Sequence, residues 1–413
     1  MQTQANYIFQ NIEKERLKPT ILIITELFPY EDNSFVGTFV VNQIKALKKN
    51  YNFVIIVPRF FGFSIKKQIF KQQDNIKIYY IRQYSFFLLA SLKLKILKPQ
   101  TIAFINKIFI RKKILKLSKK LHKKYNFSLV HGHESYIGDE AGHVGNKLHI
   151  PSIVTIHGLY EYHKLGWGEK VMQLIIKNLN KSNKILAVSR IALNSYQKNG
   201  LRNEKNEIIP NILNKQEAGL LPVKWRNIIE NKKVILTVGF FTEAKRIEQV
   251  IYAFVELRKK YQDSFILLII GRGKLETFYK KIIKDNNLEN QVYIIGEVAP
   301  NKIMSYFQIC DFLVHPSIVD SFSMTCLEAM SAGKPFICTQ NIGITEYIKN
   351  NQEAFIVPPN DLNELTKKMD TLLINSELRK KMGRLAYQTS LKFQDNNLKH
   401  KLFKIYEEFI EIK

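Results

Sequence analysis

The sequence predicts an α/β protein made of two doubly wound, parallel-sheet domains, and three observations carry that expectation. Short, nearly continuous apolar runs such as TILIIT, KILAVS and FILLIIG alternate with segments of helical periodicity, which is how strands covered by helices on both faces read. The alternation lapses over residues 211 to 231, a polar stretch without clear period, and then restarts. With 413 residues the chain is long enough for two separate cores of ordinary size.

Thr20 to Thr25 reads as the first strand. The loop FPYEDNSFVG leads from it to a helix over about Thr38 to Lys49, and Gly37 stands just before that helix, where backbone can approach a ligand closely. Strands follow at Phe53 to Val57 and Ile76 to Ile81. Between Asp74 and Glu134 there is no acidic residue, yet there are fourteen Lys and Arg, twelve of them from Lys93 to Lys124. Ile110, Ile114, Leu117 and Leu121 recur at helical spacing there. The expected element is an amphipathic helix whose outer face carries Lys112, Lys113, Lys119 and Lys120. Such a face suits an anionic membrane surface, and equally an ordinary solvated helix packed on the sheet. Nucleic acid suits it less, because no recognised module accompanies the charge and the aromatics do not form a stacking platform.

The next strand ends at His131, followed by HGHESYIG, and Pro151 to Ile156 ends in His157-Gly158. Three histidines and Glu134 invite a metal hypothesis. Read as extended chain, His131 and His133 are expected to project to opposite sides, and no third spaced ligand joins them, so no metal site is expected. A histidine at the C-terminal end of a parallel strand is better placed for hydrogen bonding in a crevice. Lys184 to Ser189 and Glu207 to Pro210 close the first half.

The second half runs VILTVGFF at 234 to 241, a helix over about Ile247 to Tyr261, FILLIIG at 265 to 271, a helix over 274 to 286, VYIIG at 292 to 296 and a helix over 301 to 308. Gly271 and Gly273 make a glycine pair after a strand, too short for a dinucleotide fingerprint. The most informative stretch follows, from His315 to Glu346. It reads as strand, loop from Ser317 to Ser323, helix stopping at Gly333, and strand PFICT. Asp320 and Glu328, eight positions apart, bracket the loop and the helix start. Free N–H groups and the helix dipole suit an anion, and carboxylates accept from hydroxyls, so the pattern fits a ligand with phosphates and a polyol part. An ordinary βαβ unit with a solvated Asp and a capping Glu fits it too.

Composition sets outer limits. Hydrophobic content of 46% and aromatic content of 12% argue against disorder. The net charge of +27 implies an anionic partner, in part offset by a Lys, Asn and Ile bias of the kind AT-rich coding imposes. Cys310, Cys326 and Cys338 fall in core-like segments and read as reduced thiols of a cytosolic protein. The polar N-terminus does not read as a signal peptide, and no apolar run reaches the length of a membrane span.

With these segments placed, the sequence resembles family 4 of the retaining glycosyltransferases, nucleotide-sugar enzymes of the GT-B fold. The most specific match is Asp320, seven residues, Glu328, then Ala329-Met330, Gly333 and Pro335, where the family carries Glu, seven residues, Glu, Ala-Met, a small residue and Gly-x-Pro. SFVGTFVVNQIKAL, His157-Gly158, VSR at 188 to 190, IIPN at 208 to 211, VGFF with Lys245, and the glycine pair at 271 and 273 match in order.

The resemblance implies two Rossmann-like domains facing across a cleft, an acceptor domain over 1–210 and a nucleotide-sugar domain over 211–391, with a helix from about 392 to 413 packing back on the first. It implies that Glu328 binds the ribose hydroxyls and that Asp320 faces the transferred sugar. Amides of Ser323, Met324 and Thr325 would hold the pyrophosphate, with Lys245 neutralising the departing diphosphate. Gly37, Gly271 and Gly273 would admit the donor, and His157 would contact its sugar. No metal or other cofactor is implied. The implied reaction moves a sugar, with retention, onto a glycan or lipid-linked acceptor of cell-surface polysaccharide assembly, in the cytoplasm and at the inner membrane face.

Three positions depart from the family pattern. Phe240 stands where an Arg usually accompanies the Lys, Asp320 replaces the first Glu, and Asn211-Ile212 replaces an asparagine-glycine turn. Arg246 and Arg272 are the cations nearby in sequence. A catalytically degenerate nucleotide-sugar-binding scaffold, or a sugar-nucleotide epimerase, are the alternative functions.

Overall fold

The computed structural model describes residues 18–29, 37–61, 70–73, 75–84, 98–134, 136–213, 219–394 and 396–410. In it the first apolar runs become β1 (Thr20–Ile24), β2 (Asn52–Phe61), β3 (Phe70–Gln73), β4 (Ile76–Tyr84), β5 (Phe127–His133), β6 (Ser152–Ile156), β7 (Lys184–Ala187) and β8 (Asn206–Ile208). They form one sheet in the order β3-β4-β2-β1-β5-β6-β7-β8. Every pairing is parallel except β3 with β4, a short polar edge strand that the apolar pattern does not announce.

The second sheet holds β9 (Lys233–Val238), β10 (Phe265–Ile270), β11 (Val292–Gly296), β12 (Phe312–His315), β13 (Phe336–Thr339) and β14 (Ala354–Val357), all parallel, in the order β11-β10-β9-β12-β13-β14. Its strands β10, from Phe265 to Ile270, and β12, from Phe312 to His315, are buried throughout, because helices cover both faces. The chain reverses its strand order between β1 and β5 in one sheet and between β9 and β12 in the other. Crevices form at such points beyond the carboxyl ends of the strands. Thr25, His133, His157, Gly239 and His315 stand there.

The segment from 211 to 231 is not the featureless linker its polarity suggests. Ile212, Leu213, Leu221 and Trp225 are buried, a helix spans Val223–Ile229, and the Trp225 ring meets Tyr293 edge-on at 5.5 Å. A few apolar anchors decide its fold, too sparse to register as a period. Leu213 N–H donates to the Phe393 carbonyl at 3.0 Å, tying the segment to the end of the helix Ser376–Gln394. The last helix, Asn396–Ile410, then lies on the first domain, where Leu402, Ile405 and Tyr406 enter its core and the Tyr51 hydroxyl donates to Glu407.

The basic helix spans Pro99–Tyr125. It buries Ile110, Ile114 and Leu121, packs Leu117 beside them, and leaves Lys112, Lys113, Lys119 and Lys120 exposed. Lys107 departs from the expected solvated cationic face. Its ammonium is fully buried, 2.5 Å from Asp139 and 3.2 Å from Glu140, while Arg111 lies 3.4 Å from Glu140 and Asn178 donates to Asp139 at 2.6 Å. Burial opposes the charge on Lys107, but the two carboxylates outweigh it and hold the amine protonated. Truncating it leaves two buried acids facing one partly exposed arginine. Lys107→Ala is therefore expected to cost about 3–5 kcal/mol in chemical denaturation, and a loss below about 1 kcal/mol would contradict this account of the helix.

Candidate active site

The site is assembled from loops beyond the carboxyl ends of β5, β6, β9, β10 and β12. After β12 the chain turns through Asp320 to Ser323 and enters the helix Met324–Ser331. Ser323, at φ 77° and ψ 90°, is the N-cap, and its hydroxyl accepts from the Cys326 amide at 3.3 Å. The amides of Met324 and Thr325 belong to the first turn and have no intrahelical acceptor, so they and the helix dipole remain available to an anion.

Asp320 is clamped on both sides. Its amide donates to Asn341, its carbonyl accepts from Gly343, and its carboxylate meets Lys245 Nζ at 2.6 Å and His315 Nε2 at 3.4 Å. Lys245 reaches it from the 3-10 turn Glu243–Lys245 after β9. Burial works against charge on Asp320, yet the Lys245 ammonium and His315 hold its carboxyl well below the usual carboxylate range. Glu328 is the opposite case. No side-chain partner meets its carboxyl among the described residues, and burial alone pushes it up to about 7. A carboxylate left partnerless at the wall of a cavity is placed to receive hydroxyls from a ligand.

Two cavities flank Asp320. The larger, of about 300 Å³, is bordered by Phe240, Lys245, Arg272, Asp320, Thr325 and Glu328. The smaller, of about 200 Å³, is bordered by Glu134, His157, His163, Asn211, Asp320 and Ser321. Phe39, Asp320 and Met324 belong to both. The structure thus brings Lys245, Asp320, Met324, Thr325, Glu328 and Gly271 to one cavity, with Ser323 and His157 at the other.

Gly37 and Gly273 border neither, although Thr38 and Phe39, next to Gly37, do. The reason Gly37 must be glycine is internal. It takes φ 74° as the N-cap of the helix Thr38–Leu47, and a Cβ there would overlap the Leu27 carbonyl oxygen at 2.0 Å. Gly271 is similar, since a Cβ would come within 1.9 Å of the Gly239 carbonyl oxygen. These glycines let two stretches of backbone cross closely, and Gly271 does so at the border of the larger cavity.

Of the two arginines near the departure at Phe240, Arg272 borders the larger cavity and pairs with Glu297 at 2.7 Å, whereas Arg246 is turned to Glu248 at 3.1 Å. Phe240 itself is half-exposed on the cavity wall.

The expectation that His131 and His133 point to opposite sides is wrong, because residues two apart on a strand share a face. Their rings stack at 4.5 Å, and His133 stacks in turn on His157 at 5.2 Å. His131 Nδ1 lies 2.6 Å from the Tyr406 hydroxyl and Nε2 2.7 Å from Thr155 Oγ1, while His133 Nδ1 and His157 Nε2 are 2.9 Å apart. Burial keeps all three below the usual histidine range and therefore neutral. The row serves as a hydrogen-bonded support that fixes His157 at the cavity, and among the described residues no group of three or more His, Cys, Asp or Glu is arranged to hold a metal ion. Cys310, Cys326 and Cys338 are free and buried.

Sequence reasoning missed Phe39, His163 and Asn211 at the site. His163 is six positions beyond His157 in the helix Tyr160–Trp167, and only the direction of that helix shows that it turns back over the strand end.

The chain matches known proteins over most of its length. Residues 36–217 match the model for Glycosyltransferase Family 4 and residues 224–389 the model for Glycosyl transferases group 1. An uncharacterized glycosyltransferase of Methanocaldococcus jannaschii is 29% identical over 311 residues, 71% of this chain and 79% of that protein. The N,N'-diacetylbacillosaminyl-diphospho-undecaprenol alpha-1,3-N-acetylgalactosaminyltransferase of Campylobacter jejuni is 24% identical over 70% of this chain and 71% of its own length. Among solved structures, sucrose-phosphate synthase from Thermosynechococcus elongatus superposes with a TM-score of 0.77 at 15% identity, over 96% of this chain and all of that one.

Proposed function

The chain belongs to the family 4 glycosyltransferases of group 1, with the GT-B arrangement of two Rossmann-like domains, and we propose that it moves a sugar from a nucleotide diphosphate sugar to a hydroxyl of a glycan or lipid-linked acceptor, with retention at the anomeric carbon. The observation that supports this reading most is the larger cavity. It combines a partnerless carboxyl at Glu328, an ammonium at Lys245 and a helix start with free amides, which answer to ribose, diphosphate and pyrophosphate oxygens respectively.

In this reading charge develops on the departing diphosphate, and Lys245 and the helix dipole are already aimed there, so they stabilise the transition state more than the ground state. They do so without a metal ion. Neither Asp320, tied to Lys245, nor Glu134, tied to His163, Tyr196 and two amides, is free to act as a nucleophile. Front-face displacement, the mechanism the family resemblance implies, is the step proposed here. The anomeric carbon–phosphate oxygen bond breaks, the bond to the acceptor oxygen forms on the same face, and the acceptor proton passes to the departing phosphate. Incubation with a panel of nucleotide sugars tests the reading. A transferase releases nucleoside diphosphate from some donor, an epimerase converts the sugar without release, and a scaffold does neither.

The acceptor is proposed to be presented at the inner face of a membrane in the cytoplasm. No helix among the described residues is long and apolar enough to cross a membrane. The exposed lysines of Pro99–Tyr125 provide charge, and the helix Tyr160–Trp167 packed beside it leaves Leu165 80% exposed, as an interfacial anchor would be. Sedimentation with phosphatidylglycerol liposomes is expected to fall steeply with salt and to weaken when Lys112, Lys113, Lys119 and Lys120 become Ser. Binding indifferent to salt and to these lysines would rule the surface out. A nucleic-acid partner is not part of the proposal.

A further inference from the structure

The helix Arg190–Gln197 of the first domain starts against the second domain. Its N-cap Ser189 accepts from the Ala192 amide at 3.0 Å, which leaves the amides of Arg190 and Ile191 without an intrahelical acceptor. Both are taken by one carboxylate from across the domain boundary. Glu346 Oε2 accepts from Arg190 and Oε1 from Ile191, each at 3.0 Å. A carboxylate in this position also meets the positive end of the helix dipole.

Glu346 is wired to the site through backbone. It closes the 3-10 turn Gly343–Glu346, and that turn is bonded to the segment carrying Asp320, with Gly343 donating to the Asp320 carbonyl at 3.0 Å and Ile344 to the Phe322 carbonyl at 2.9 Å. Two further bonds cross between the domains beside it. The Ser189 hydroxyl donates to the Ser321 carbonyl and the Ser321 hydroxyl to the His157 carbonyl, both at 2.5 Å. Gly343 permits this close approach, since a Cβ there would lie 2.7 Å from that of Ser189. The smaller cavity depends on the seam, because Glu134, His157 and His163 reach it from the first domain and Asp320 and Ser321 from the second.

We propose that Glu346 is a positioning residue that latches the two domains, acting through the turn it closes to hold Asp320 and Ser321 against His157. The groups assigned to the nucleoside diphosphate, Lys245, Thr325 and Glu328, all belong to the second domain. Loss of the latch therefore separates the domains and takes the shared cavity apart while the diphosphate site stays whole, and this second half rests on the donor reading given above. Glu346 is itself exposed, so replacing it leaves no void in either core.

Pulsed dipolar spectroscopy on the full chain tests this, with nitroxides at Lys198→Cys in the first domain and Lys349→Cys in the second, both exposed sites, while the native cysteines are buried. With Glu346 in place, one narrow distance distribution is expected. Glu346→Ala should raise the ratio of separated to closed molecules by at least about tenfold. Glu346→Lys, which sets a cation against the helix start, should raise it further, and Glu346→Gln, which keeps one acceptor oxygen, should raise it less. Calorimetric titration with UDP and with GDP should find the affinity for whichever binds within about threefold in all three variants. An unchanged distribution in both the Ala and the Lys variant would overturn the latch. So would a loss of diphosphate affinity of about tenfold or more, since it would assign Glu346 to the fold of the second domain. If neither UDP nor GDP binds the unsubstituted protein, the nucleotide reading of the larger cavity fails, and the distances alone decide the latch.

Discussion

Glu328→Gln is expected to weaken nucleoside diphosphate binding by at least about tenfold and, at the same time, to stabilise the ligand-free protein. The two effects have one cause. The Glu328 carboxyl faces a cavity with no protein partner, and burial raises it from its ordinary 4.5 to about 7. For an acid raised in the folded state, the unfolded chain ionises first. Stability is therefore lost as pH rises from about 4.5 to 7, and the full cost is present above that. That cost is roughly 2 kcal/mol once the partial solvent access of the group is allowed for. Glutamine carries no such penalty, but in the proposed donor site it replaces a charged acceptor of ribose hydroxyls with a neutral one. Thermal melts should show the variant gaining on the wild type between pH 5 and pH 8, while calorimetry shows the affinity loss. Wild-type affinity should itself rise as pH increases through about 7. Unchanged affinity in the variant would mean that Glu328 does not meet the ligand.

Lys245→Ala is expected to lower turnover by about 10²–10³-fold, the range for loss of one preorganised charge at a developing anion. In the ligand-free protein Lys245 is occupied by Asp320 at 2.6 Å, so the ammonium is held in place before donor arrives. Removing it also leaves the Asp320 carboxylate with His315 and the Phe322 amide but no full positive charge beside it. Asp320 is an acid depressed in the folded state. The stability it confers is present above its ordinary pKa of 3.8 and lost as pH falls below it, and Lys245→Ala should erase that dependence. The double variant Lys245→Ala, Asp320→Asn should recover most of the lost stability and none of the lost turnover. Recovery of activity together with stability would show that the lysine serves the fold rather than the diphosphate.

Much of this architecture was legible in the residues, and the exceptions have physical reasons. Runs such as FILLII and KILA announce buried parallel strands because both faces are covered, whereas β3 (FKQQ) is a polar strand at a sheet edge. Asp320 and Glu328 were placed correctly around a helix start, since caps and glycine stops are local signals. What they do not reveal is that one is paired and the other is bare, because Lys245 lies seventy-five positions from Asp320 and meets it only through β9 and β12. That Lys107 is buried is hidden from the sequence for the same reason. Its partners, Asp139 and Glu140, come from a different helix. The histidine row was misread through strand geometry, and His163 was overlooked because nothing local shows that its helix folds back toward Glu134. Gly37 and Gly271 are also required where backbone meets backbone, a constraint that the motif alone does not reveal.

The most direct test of the central claim is a proton NMR time course of the wild-type protein with α-linked nucleotide sugars and a mixed glycan acceptor pool. The account predicts that one donor is consumed, that nucleoside diphosphate appears in equal amount, and that the new anomeric signal has the small coupling of an α-linkage. Donors that persist unchanged, a sugar that epimerises while still attached to its nucleotide, or a β-linked product would contradict it.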